Sequence, residues 1–399
     1  MELLLVHQNF PGQFRELAPA WLARGYAVTA IGCSSPKELH GSCWQTLRYH
    51  PYRCRAHQWR NKVLADHLRH LMSTTQLAPD LVIVHAGWGE ASVIKAIWPD
   101  LPVVVYPELW GSARALGVGF DDRRSPLTPT EQVDIDRQNT ITAHAMARAD
   151  ALVVPTAFQR DGFPAPWPER ITCIHEGVAL DRLQPDPRAS LLLPNGELLD
   201  RCNRVITYVS RQFEPLRGLH TFMAALPPLL QCHPDLQVVM VGGLGIGYGT
   251  DQQHPGGHLA EELERLPADM DLSRLHWVGQ LSHAELTCLL QISSAHVYLT
   301  YPYTLSWSVL EAMACGAPVV SNHGGPVEEL IRDGESGLLI DFNSPGQLSA
   351  ALQRLINNPE LQKALGQAGR KIVERQFSLN AALERYDQLF NDLLTAPDR

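Results

Sequence analysis

Short apolar runs recur along the chain, and segments long enough for a helix separate them. This alternation predicts a parallel α/β sheet, in which strands and helices take turns along the chain. Leu17, Trp21 and Leu22, for example, form one apolar side of a helix. The strands predicted in the first half are Leu3–Val6, Ala27–Ile31, Leu81–His85, Val103–Tyr106, Leu152–Pro155 and Ile171–His175.

A second series of apolar runs follows residues 176–202, which are rich in Pro and Asp. We interpret that segment as an interdomain linker with a loop. The stretch Gln347–Glu374 is predicted to be helical, and Leu379–Leu394 forms a further, amphipathic helix. The strands predicted in the second half are Val205–Val209, Gln237–Val241, His276–Val278, His296–Leu299, Val319–Ser321 and Leu338–Asp341.

The length of 399 residues exceeds what one ordinary core supports, so we predict two domains of about 200 residues each. We place the first at residues 1–185 and the second at 186–375, followed by a C-terminal helix at 376–399. Both domains are predicted to be doubly wound and Rossmann-like.

Composition excludes several classes of protein. The 45% hydrophobic and 19% charged residues are typical of a soluble globular protein, and no apolar span is long enough to cross a membrane. A formal net charge of −9 gives no case for nucleic-acid binding. Residues 48–69 are locally basic, with Tyr52 and Trp59 interleaved. We interpret this stretch as a solvated face or, alternatively, as a peripheral contact with an anionic lipid face or an acidic acceptor.

The eight cysteines show no C-x2-C pair and no regular spacing, which predicts neither a disulfide framework nor a usual zinc site. Cys43, His50, Cys54 and His57 are crowded, but their spacing matches no common metal site. The N-terminal run has no basic region and is interpreted as a first strand rather than a signal peptide. These features predict a cytoplasmic protein, peripheral at the inner membrane face if the basic stretch binds lipid.

The main functional pattern is a strand–helix–strand unit between Tyr298 and Glu329. Ser306 and Ser308 leave the first backbone N–H groups of the helix uncovered, and such a terminus suits phosphate. Glu311, one turn further on, can accept hydrogen bonds from two neighbouring hydroxyl groups. Alternatively, Ser308 and Glu311 form a capping box, in which the glutamate bonds to the start of its own helix. Together these features suit a nucleotide sugar as the sugar donor, with its pyrophosphate at the N–H groups and its ribose at Glu311. The predicted donor contacts of this helix are Ser306, Trp307, Ser308, Val309, Leu310 and Glu311.

A second pattern is a strand that delivers Arg211 to the sheet edge, followed by a proline turn and by Arg217-Gly218 at the start of a helix. Two cations beside a helix terminus can neutralise a diphosphate through charge-assisted hydrogen bonds. The alternative is a pair of surface arginines that flank a turn.

The glycine-rich loop at residues 242–249 contains G-x-G-x-G after a strand. As a dinucleotide fingerprint it fails, because neither a following helix nor a ribose-binding acid about 20 residues further on is evident. We therefore interpret the loop, including Gly243, as a flexible element beside a donor site rather than as part of an oxidoreductase.

Two loops in the first half follow strands, where ligands of open α/β sheets bind. Gly12, in the loop after the first strand, lets the backbone come close to a phosphate. The alternative is a plain turn glycine. His85 ends another strand and is a candidate for contact with donor or acceptor. The alternative for His85 is a hydrogen-bonded structural role.

The run LEAMACGAPVVSNHGGPVEELI, at residues 310–331, closely resembles the nucleotide-binding segment of family 4 retaining glycosyltransferases. That segment carries E-x7-E and, after it, GGxxE. The second glutamate of the pair falls on Glu311 and the GGxxE glutamate on Glu328. The first glutamate, which approaches the donor sugar in the family, falls on Tyr303.

The resemblance implies roles for single residues. Glu311 would hold the ribose, and Arg211 and Arg217 would grip the donor pyrophosphate, with Arg217 in place of the usual lysine and a spacing one residue longer. Gly12 corresponds to the glycine of the family's first loop. Val278 lies in a segment like the family's F-x-G, where backbone groups read the nucleobase.

Glu108 aligns with a position that commonly holds a histidine near the reacting sugar in the family. A carboxylate there could hydrogen-bond a sugar hydroxyl, stabilise positive charge on the oxocarbenium ion, or accept the acceptor's proton. The alternative is an ordinary exposed acid in a loop.

The resemblance implies the GT-B fold, in which two Rossmann-like domains face a central cleft and the final helix crosses back to the first domain. The first domain would bind the acceptor and the second the nucleotide sugar. The implied reaction is the transfer of a hexosyl group from a nucleoside diphosphate sugar, with a UDP-sugar favoured, to the hydroxyl of a glycan, lipid or small molecule, with retention. The cations Arg211 and Arg217 can do the task of a metal at the diphosphate, so we expect no metal and no cofactor.

Two other interpretations stay open at this point. A nucleotide-sugar epimerase or hydrolase with the same fold would use the same donor site without an acceptor. A non-catalytic partner of another glycosyltransferase is also conceivable, because Tyr303 replaces the first glutamate.

Overall fold

A computed structural model describes residues 1–33, 46–53, 60–245, 247 and 256–395. Unit 1 comprises Met1–Gly111, Thr128–Ala179 and Phe377–Arg399, and unit 2 comprises Ser112–Leu127 and Leu180–Gln376. Residues 112–127 are the main difference from the sequence-based division, which keeps them in the first domain.

The sheet of unit 1 is parallel, with the strand order β3-β2-β1-β4-β5-β6-β7. Both faces of its central strands are covered by apolar side chains, which explains why these strands are continuous apolar runs in the sequence. The strands are β1 Glu2–Val6, β2 Ala27–Gly32, β3 Arg48–Pro51, β4 Leu81–His85, β5 Val103–Tyr106, β6 Ala151–Val154 and β7 Ile171–Cys173.

Side chains that alternate along a strand enter opposite layers of the core. Leu3 and Leu5 of β1 belong to one buried cluster, and Leu4 and Val6 belong to the other. Before residue 180, the helices of this unit are α1 Leu17–Ala23, α2 Arg60–Thr75, α3 Ala91–Ile97, α4 Pro129–Met146 and α5 Ala157–Asp161.

The main sheet of unit 2 is also parallel, with the order β12-β11-β10-β13-β14-β15. A separate antiparallel hairpin, β8 with β9, lies within residues 176–202, the predicted interdomain linker. The strands are β8 Ser190–Leu192, β9 Leu198–Asp200, β10 Arg204–Gln212, β11 Leu236–Gly243, β12 Leu275–Trp277, β13 Ala295–Tyr298, β14 Val319–Asn322 and β15 Leu338–Ile340.

The helical stretch predicted at 347–374 is divided in the structure. The Asn358 side chain accepts a hydrogen bond from the Leu361 N–H at 3.0 Å, and Pro359 occupies the first turn, so a new helix begins there. The helices of unit 2 are α6 Leu219–Cys232, α7 Gly257–Glu264, α8 His283–Ile292, α9 Trp307–Ala314, α10 Pro345–Ile356 and α11 Pro359–Ile372.

The last helix, α12 Leu379–Thr395, belongs to unit 1. Its apolar side packs into a buried cluster of that unit, where the Trp21 ring lies 5.4 Å from the ring of Tyr386 and 5.7 Å from that of Phe390. The doubly wound α/β fold predicted from the sequence is therefore confirmed. Strand β3 was not predicted, because its residues Arg-Tyr-His-Pro form no apolar run.

The basic stretch at 48–69 does not present Tyr52 to solvent. This side chain is 2% exposed, and its hydroxyl donates a hydrogen bond to Glu90 Oε1 at 2.5 Å. Trp59 and Arg55 lie outside the described residues. The interpretation of Tyr52 as a surface aromatic is thus wrong. Within the ranges that the structure describes, no helix is both long and apolar enough to span a bilayer.

A close approach of two backbones in unit 2 yields a stability prediction. A Cβ atom on Gly366 of α11 would lie 2.1 Å from the carbonyl oxygen of Gly316, which follows α9. We expect Gly366→Ala to lower the free energy of unfolding by about 1–3 kcal/mol in denaturant titrations, because the two helices must separate. The control is Gly346→Ala in α10, where no atom lies within 4 Å of the new methyl group. It should stabilise by up to about 1 kcal/mol, and an equal loss in both variants would contradict the explanation.

Candidate functional site

Helix α9 begins beside the carboxyl end of β13. Its N-cap is Ser306, whose side chain accepts a hydrogen bond from the Ser308 N–H at 3.3 Å. Glu311 therefore lies beyond the first turn rather than at the third helical position. The capping-box interpretation of Ser308 and Glu311 is wrong, and the carboxylate of Glu311 has a different partner.

Arg217 reaches the same place from another segment. A short 3-10 helix, Pro215–Arg217, follows β10, and Gly218 ends it with a left-handed φ of +66°. The Nη1 atom of Arg217 donates to Tyr298 Oη at 2.7 Å and to Thr300 Oγ1 at 2.8 Å. The guanidinium also lies 5.5 Å from the centre of the Tyr298 ring.

One hydroxyl joins these two features. Tyr298 Oη accepts a hydrogen bond from the Ser306 N–H at 2.9 Å as well as the one from Arg217. A cation and the positive end of a helix are thus fixed on the same phenol oxygen. We call Arg217, Tyr298, Thr300 and the first turn of α9 the Arg217 site. Such a pairing of guanidinium and helix N–H groups suits a phosphate ligand.

Glu311 is buried, with 5% of its surface exposed. Its Oε1 atom lies 3.4 Å from Nε2 of His283, at the start of α8. Burial lowers the pKa of the nearby His296 to about 3, although the Glu311 charge opposes this shift. His283 was not predicted, since a lone histidine at a helix start carries no functional pattern in the sequence.

Arg211 lies on β10, where pairing with β11 is irregular between Val209 and Gln212, and its side chain is exposed. Tyr303, at the position of the family's first glutamate, is partly buried and packs against the core of unit 2. Glu328 is exposed, and its carboxylate accepts a hydrogen bond from the Gly324 N–H at 3.0 Å.

Gly243 ends β11, and a Cβ atom there would lie 2.5 Å from Gln212 Oε1. The same oxygen accepts a hydrogen bond from the Gly245 N–H at 2.7 Å, so the glycines make room for Gln212. Residues 246 and 248–249 of this loop lie outside the described part of the chain. The N–H of Val278 donates to Met240 O at 3.1 Å and is therefore not available to a nucleobase.

In unit 1, two residues predicted separately come together. His85 at the end of β4 and Glu108 after β5 contact each other, with 3.1 Å between Nε2 and Oε2. His85 Nδ1 accepts a hydrogen bond from the Gly87 N–H at 3.0 Å. Because Nδ1 is an acceptor, Nε2 is the ring nitrogen that donates a hydrogen bond to Glu108. We call these residues the His85–Glu108 pair.

Further residues around this pair were not predicted. Gln13 Nε2 donates to Glu108 Oε1 at 3.3 Å. The ring of Trp88 stacks on His85 with a centroid distance of 4.5 Å and meets His7 edge-on at 4.9 Å. Their position at the carboxyl ends of β1 and β4 is the signal that could have indicated them.

Gly12 has a left-handed φ of +47°, and a Cβ atom there would lie 2.3 Å from the imidazole of His7. The packing of His7 against the loop thus explains why position 12 is a glycine. A phosphate contact at Gly12 remains a prediction.

The backbone of Glu108 is strained. Its φ is +59°, a left-handed value that costs a residue with a side chain about 1–2 kcal/mol. Buried Gln159 holds this conformation by donating to the Glu108 carbonyl at 2.7 Å. Strain of this kind collects at functional positions, and here it aims the carboxylate at His85.

Comparison with known proteins identifies the family. Residues 29–183 match the family model described as "Glycosyl transferase family 4 group", and residues 196–372 match "Glycosyl transferases group 1". The chain belongs to the group 1 glycosyltransferases. The resemblance inferred from residues 310–331 is therefore confirmed.

Known proteins similar to this group 1 glycosyltransferase include the D-inositol 3-phosphate glycosyltransferase of Thermobispora bispora. It is 28% identical over 315 residues, which are 77% of this chain and 68% of the relative. Across such relatives the matches span about half to two thirds of the relative's own length.

Solved structures similar to this glycosyltransferase establish its fold. Sucrose-phosphate synthase from Thermosynechococcus elongatus has a TM-score of 0.76 at 19% identity and covers 100% of both chains. HepE of Anabaena in complex with UDP-glucose has a TM-score of 0.74 at 16% identity and covers 98% of this chain and 100% of its own. The fold is GT-B, built from two Rossmann-like units.

Among the described residues of the glycosyltransferase, no three His, Cys, Asp or Glu side chains are grouped as metal ligands. Of the crowded residues noted in the sequence, His50 is described, whereas Cys43, Cys54 and His57 lie outside the described ranges. The expectation that no metal or cofactor is required remains a prediction.

The buried His7 beside the His85–Glu108 pair predicts a pH dependence. Burial, assisted by the neighbouring His85, lowers the pKa of His7 from the ordinary 6.5 to about 3. Below about pH 6.5 the unfolded chain binds a proton that the folded chain does not, so stability falls as the pH falls, by up to about 1.4 kcal/mol per pH unit. We expect His7→Gln to flatten this slope in urea titrations between about pH 7 and about pH 4.5. The exposed His70→Gln control should keep it; identical slopes in the wild type and His7→Gln would refute the assignment.

The strain at Glu108 predicts a difference between two variants. Glu108→Gly and Glu108→Ala both remove the contacts to His85 and Gln13, but only glycine adopts the left-handed backbone without cost. We expect Glu108→Gly to be more stable than Glu108→Ala by about 1 kcal/mol in denaturant titrations. Equal stability of the two variants would show that position 108 is not strained.

Proposed function

We propose that the chain transfers a hexosyl group from a nucleoside diphosphate sugar, with a UDP-sugar favoured, to an acceptor hydroxyl with retention at the anomeric carbon. The observation that carries this proposal is the Arg217 site, where a guanidinium and the start of α9 share the Tyr298 hydroxyl. Membership of the group 1 glycosyltransferases supports it, as does the UDP-glucose bound to HepE.

The leaving group is a nucleoside diphosphate, on which negative charge grows as the bond to the sugar breaks. Arg217 and the first N–H groups of α9 stabilise that charge, with Arg211 as a second cation. Because Arg217 and the first turn of α9 are held in place before the donor binds, they need little reorganisation at the moment of reaction. Glu311, paired with His283, binds the ribose hydroxyls.

In the transfer step, the acceptor oxygen forms a bond to the anomeric carbon while the bond from that carbon to the phosphate oxygen breaks. The acceptor's proton passes to the departing phosphate on the same face of the sugar. Glu108 orients the acceptor hydroxyl and stabilises positive charge on the sugar. His85 and Gln13 fix its two carboxylate oxygens. The cations take the part that a metal would otherwise play.

The acceptor is proposed to be a molecule that presents a hydroxyl group to Glu108. The name D-inositol 3-phosphate glycosyltransferase, carried by relatives, supports a polar acceptor of this kind. Lipid contact through residues 48–69 is not part of the proposal, because Tyr52 is buried.

Removal of the Arg217 guanidinium from the Arg217 site, and separately of the Glu311 carboxylate, provides the test. We expect Arg217→Ala and Glu311→Ala each to weaken UDP binding about 10- to 100-fold in calorimetric titrations, because each loses charged hydrogen bonds. GDP and ADP titrated in parallel identify the base. The control is Arg332→Ala, an exposed arginine of the same unit, which should leave the affinity unchanged.

Unchanged UDP affinity in both variants would refute the proposed donor site. An assay of UDP release then separates the alternatives. Release that requires an acceptor supports a transferase, whereas release of free sugar without one supports a hydrolase. A chain that binds no nucleotide at all would be a non-catalytic partner.

A further inference from the structure

Residues 112–127 are part of unit 2, although the chain on both sides of them belongs to unit 1. Phe120 packs against the core of unit 2, with its ring centre 6.2 Å from that of Tyr301 and 5.2 Å from that of Phe342. This segment is therefore anchored by apolar contacts rather than merely lying on the surface.

Hydrogen bonds from one asparagine side chain fix the same segment on both sides of Asp121. The side-chain amide of Asn343 donates to Phe120 O at 2.7 Å, and its oxygen accepts from the Asp122 N–H at 3.0 Å. Asp121, which lies between them, is turned into the interior and is only 3% exposed. A buried carboxylate requires partners, because an unpaired one is costly.

Asp121 has such partners on three sides. Its carboxylate accepts hydrogen bonds from the Tyr301 hydroxyl and from the Arg123 N–H at 2.8 Å, and it lies 3.5 Å from Nε2 of His220. Burial opposes ionisation, but the hydrogen bonds and the charge of His220 outweigh it and hold the pKa of Asp121 below its usual range. The carboxylate is thus a fixed, charged acceptor for Tyr301.

Tyr301 links this anchor to the Arg217 site. Its backbone N–H donates to Leu216 O at 2.9 Å, one residue before Arg217. It also follows Thr300 directly, and Thr300 receives a hydrogen bond from Arg217. Its ring leaves no room at Gly117, where a Cβ atom would lie 2.3 Å away. The position of Tyr301 therefore sets the position of both segments that hold the Arg217 guanidinium.

We propose that Asp121 is a positioning residue for the donor site, acting through Tyr301 on the two segments that carry Arg217 and Thr300. It touches no substrate. The inference rests on the proposed function, since it assigns a residue outside the site to the binding of the donor's diphosphate. It also gives residues 112–127 a role in that binding.

Asp121→Ala tests the proposal, because it leaves the Tyr301 hydroxyl without its acceptor. Calorimetric titration with UDP reports the dissociation constant and the number of sites per chain separately. We expect the dissociation constant to rise about tenfold, with about one site per chain retained. Asp121→Asn keeps an oxygen acceptor for the hydroxyl and should restore the affinity to within about threefold of wild type. The matched control is Asp122→Ala at the exposed neighbouring position, which should bind UDP like the wild type.

A role in folding alone would give a different result. In that case Asp121→Ala would show fewer sites per chain at the wild-type dissociation constant, and the proposal would be overturned. If Asp121→Ala does not fold, Tyr301→Phe removes the same hydrogen bond while it keeps the ring. UDP affinity should then fall several-fold, and wild-type affinity in Tyr301→Phe would likewise overturn the proposal.

The Arg217→Ala variant separates this inference from the proposed function. If UDP affinity is lost in Arg217→Ala but retained in Asp121→Ala, the donor site stands and only the positioning role fails. If affinity is retained in both variants, the donor site itself is refuted.

Discussion

The hydroxyl of Tyr298 is the point on which the geometry of the proposed donor site depends. It accepts hydrogen bonds from the Arg217 guanidinium and from the Ser306 N–H, so a side chain and a helix start are held at a fixed separation. A free arginine carries about 2 kcal/mol of rotamer entropy. An arginine that is already ordered, as Arg217 is, loses less of this entropy when it binds an anion. Tyr208 supports the arrangement from behind by donating to the Arg217 carbonyl at 2.8 Å.

Unit 1 applies the same principle to a carboxylate. The left-handed backbone of Glu108 is unfavourable by itself, and buried Gln159 and the contact with His85 maintain it. The ring of Tyr106 also stacks on the imidazole, and its hydroxyl donates a hydrogen bond to buried Glu176. The pair thus stands on a rigid, buried support, which is what precise orientation of a small polar group requires.

Patterns that depend on neighbouring residues were predictable from the sequence, and those that depend on distant packing were not. Apolar runs located the strands. The surroundings of Ser306 and Arg217 led to the prediction of an anion site, and the structure brings both residues to Tyr298. Tyr298 was missed because a tyrosine inside a strand has the pattern of a core residue. His283 was missed because its partner, Glu311, lies on another helix. The place of residues 112–127 follows only from contacts that no local pattern contains.

The path of residues 112–127 limits how this protein can be divided or recombined. A cut near residue 180 would separate Phe120 and Asp121 from the rest of unit 2. It would also separate α12, which carries Tyr386 and Phe390, from the rest of unit 1. Both fragments would expose apolar surface that the intact chain covers. A copy of unit 2 exchanged between related proteins would therefore have to include residues 112–127. The two units therefore cannot be inherited as separate consecutive pieces of sequence, because each contains a segment from the other's part of the chain.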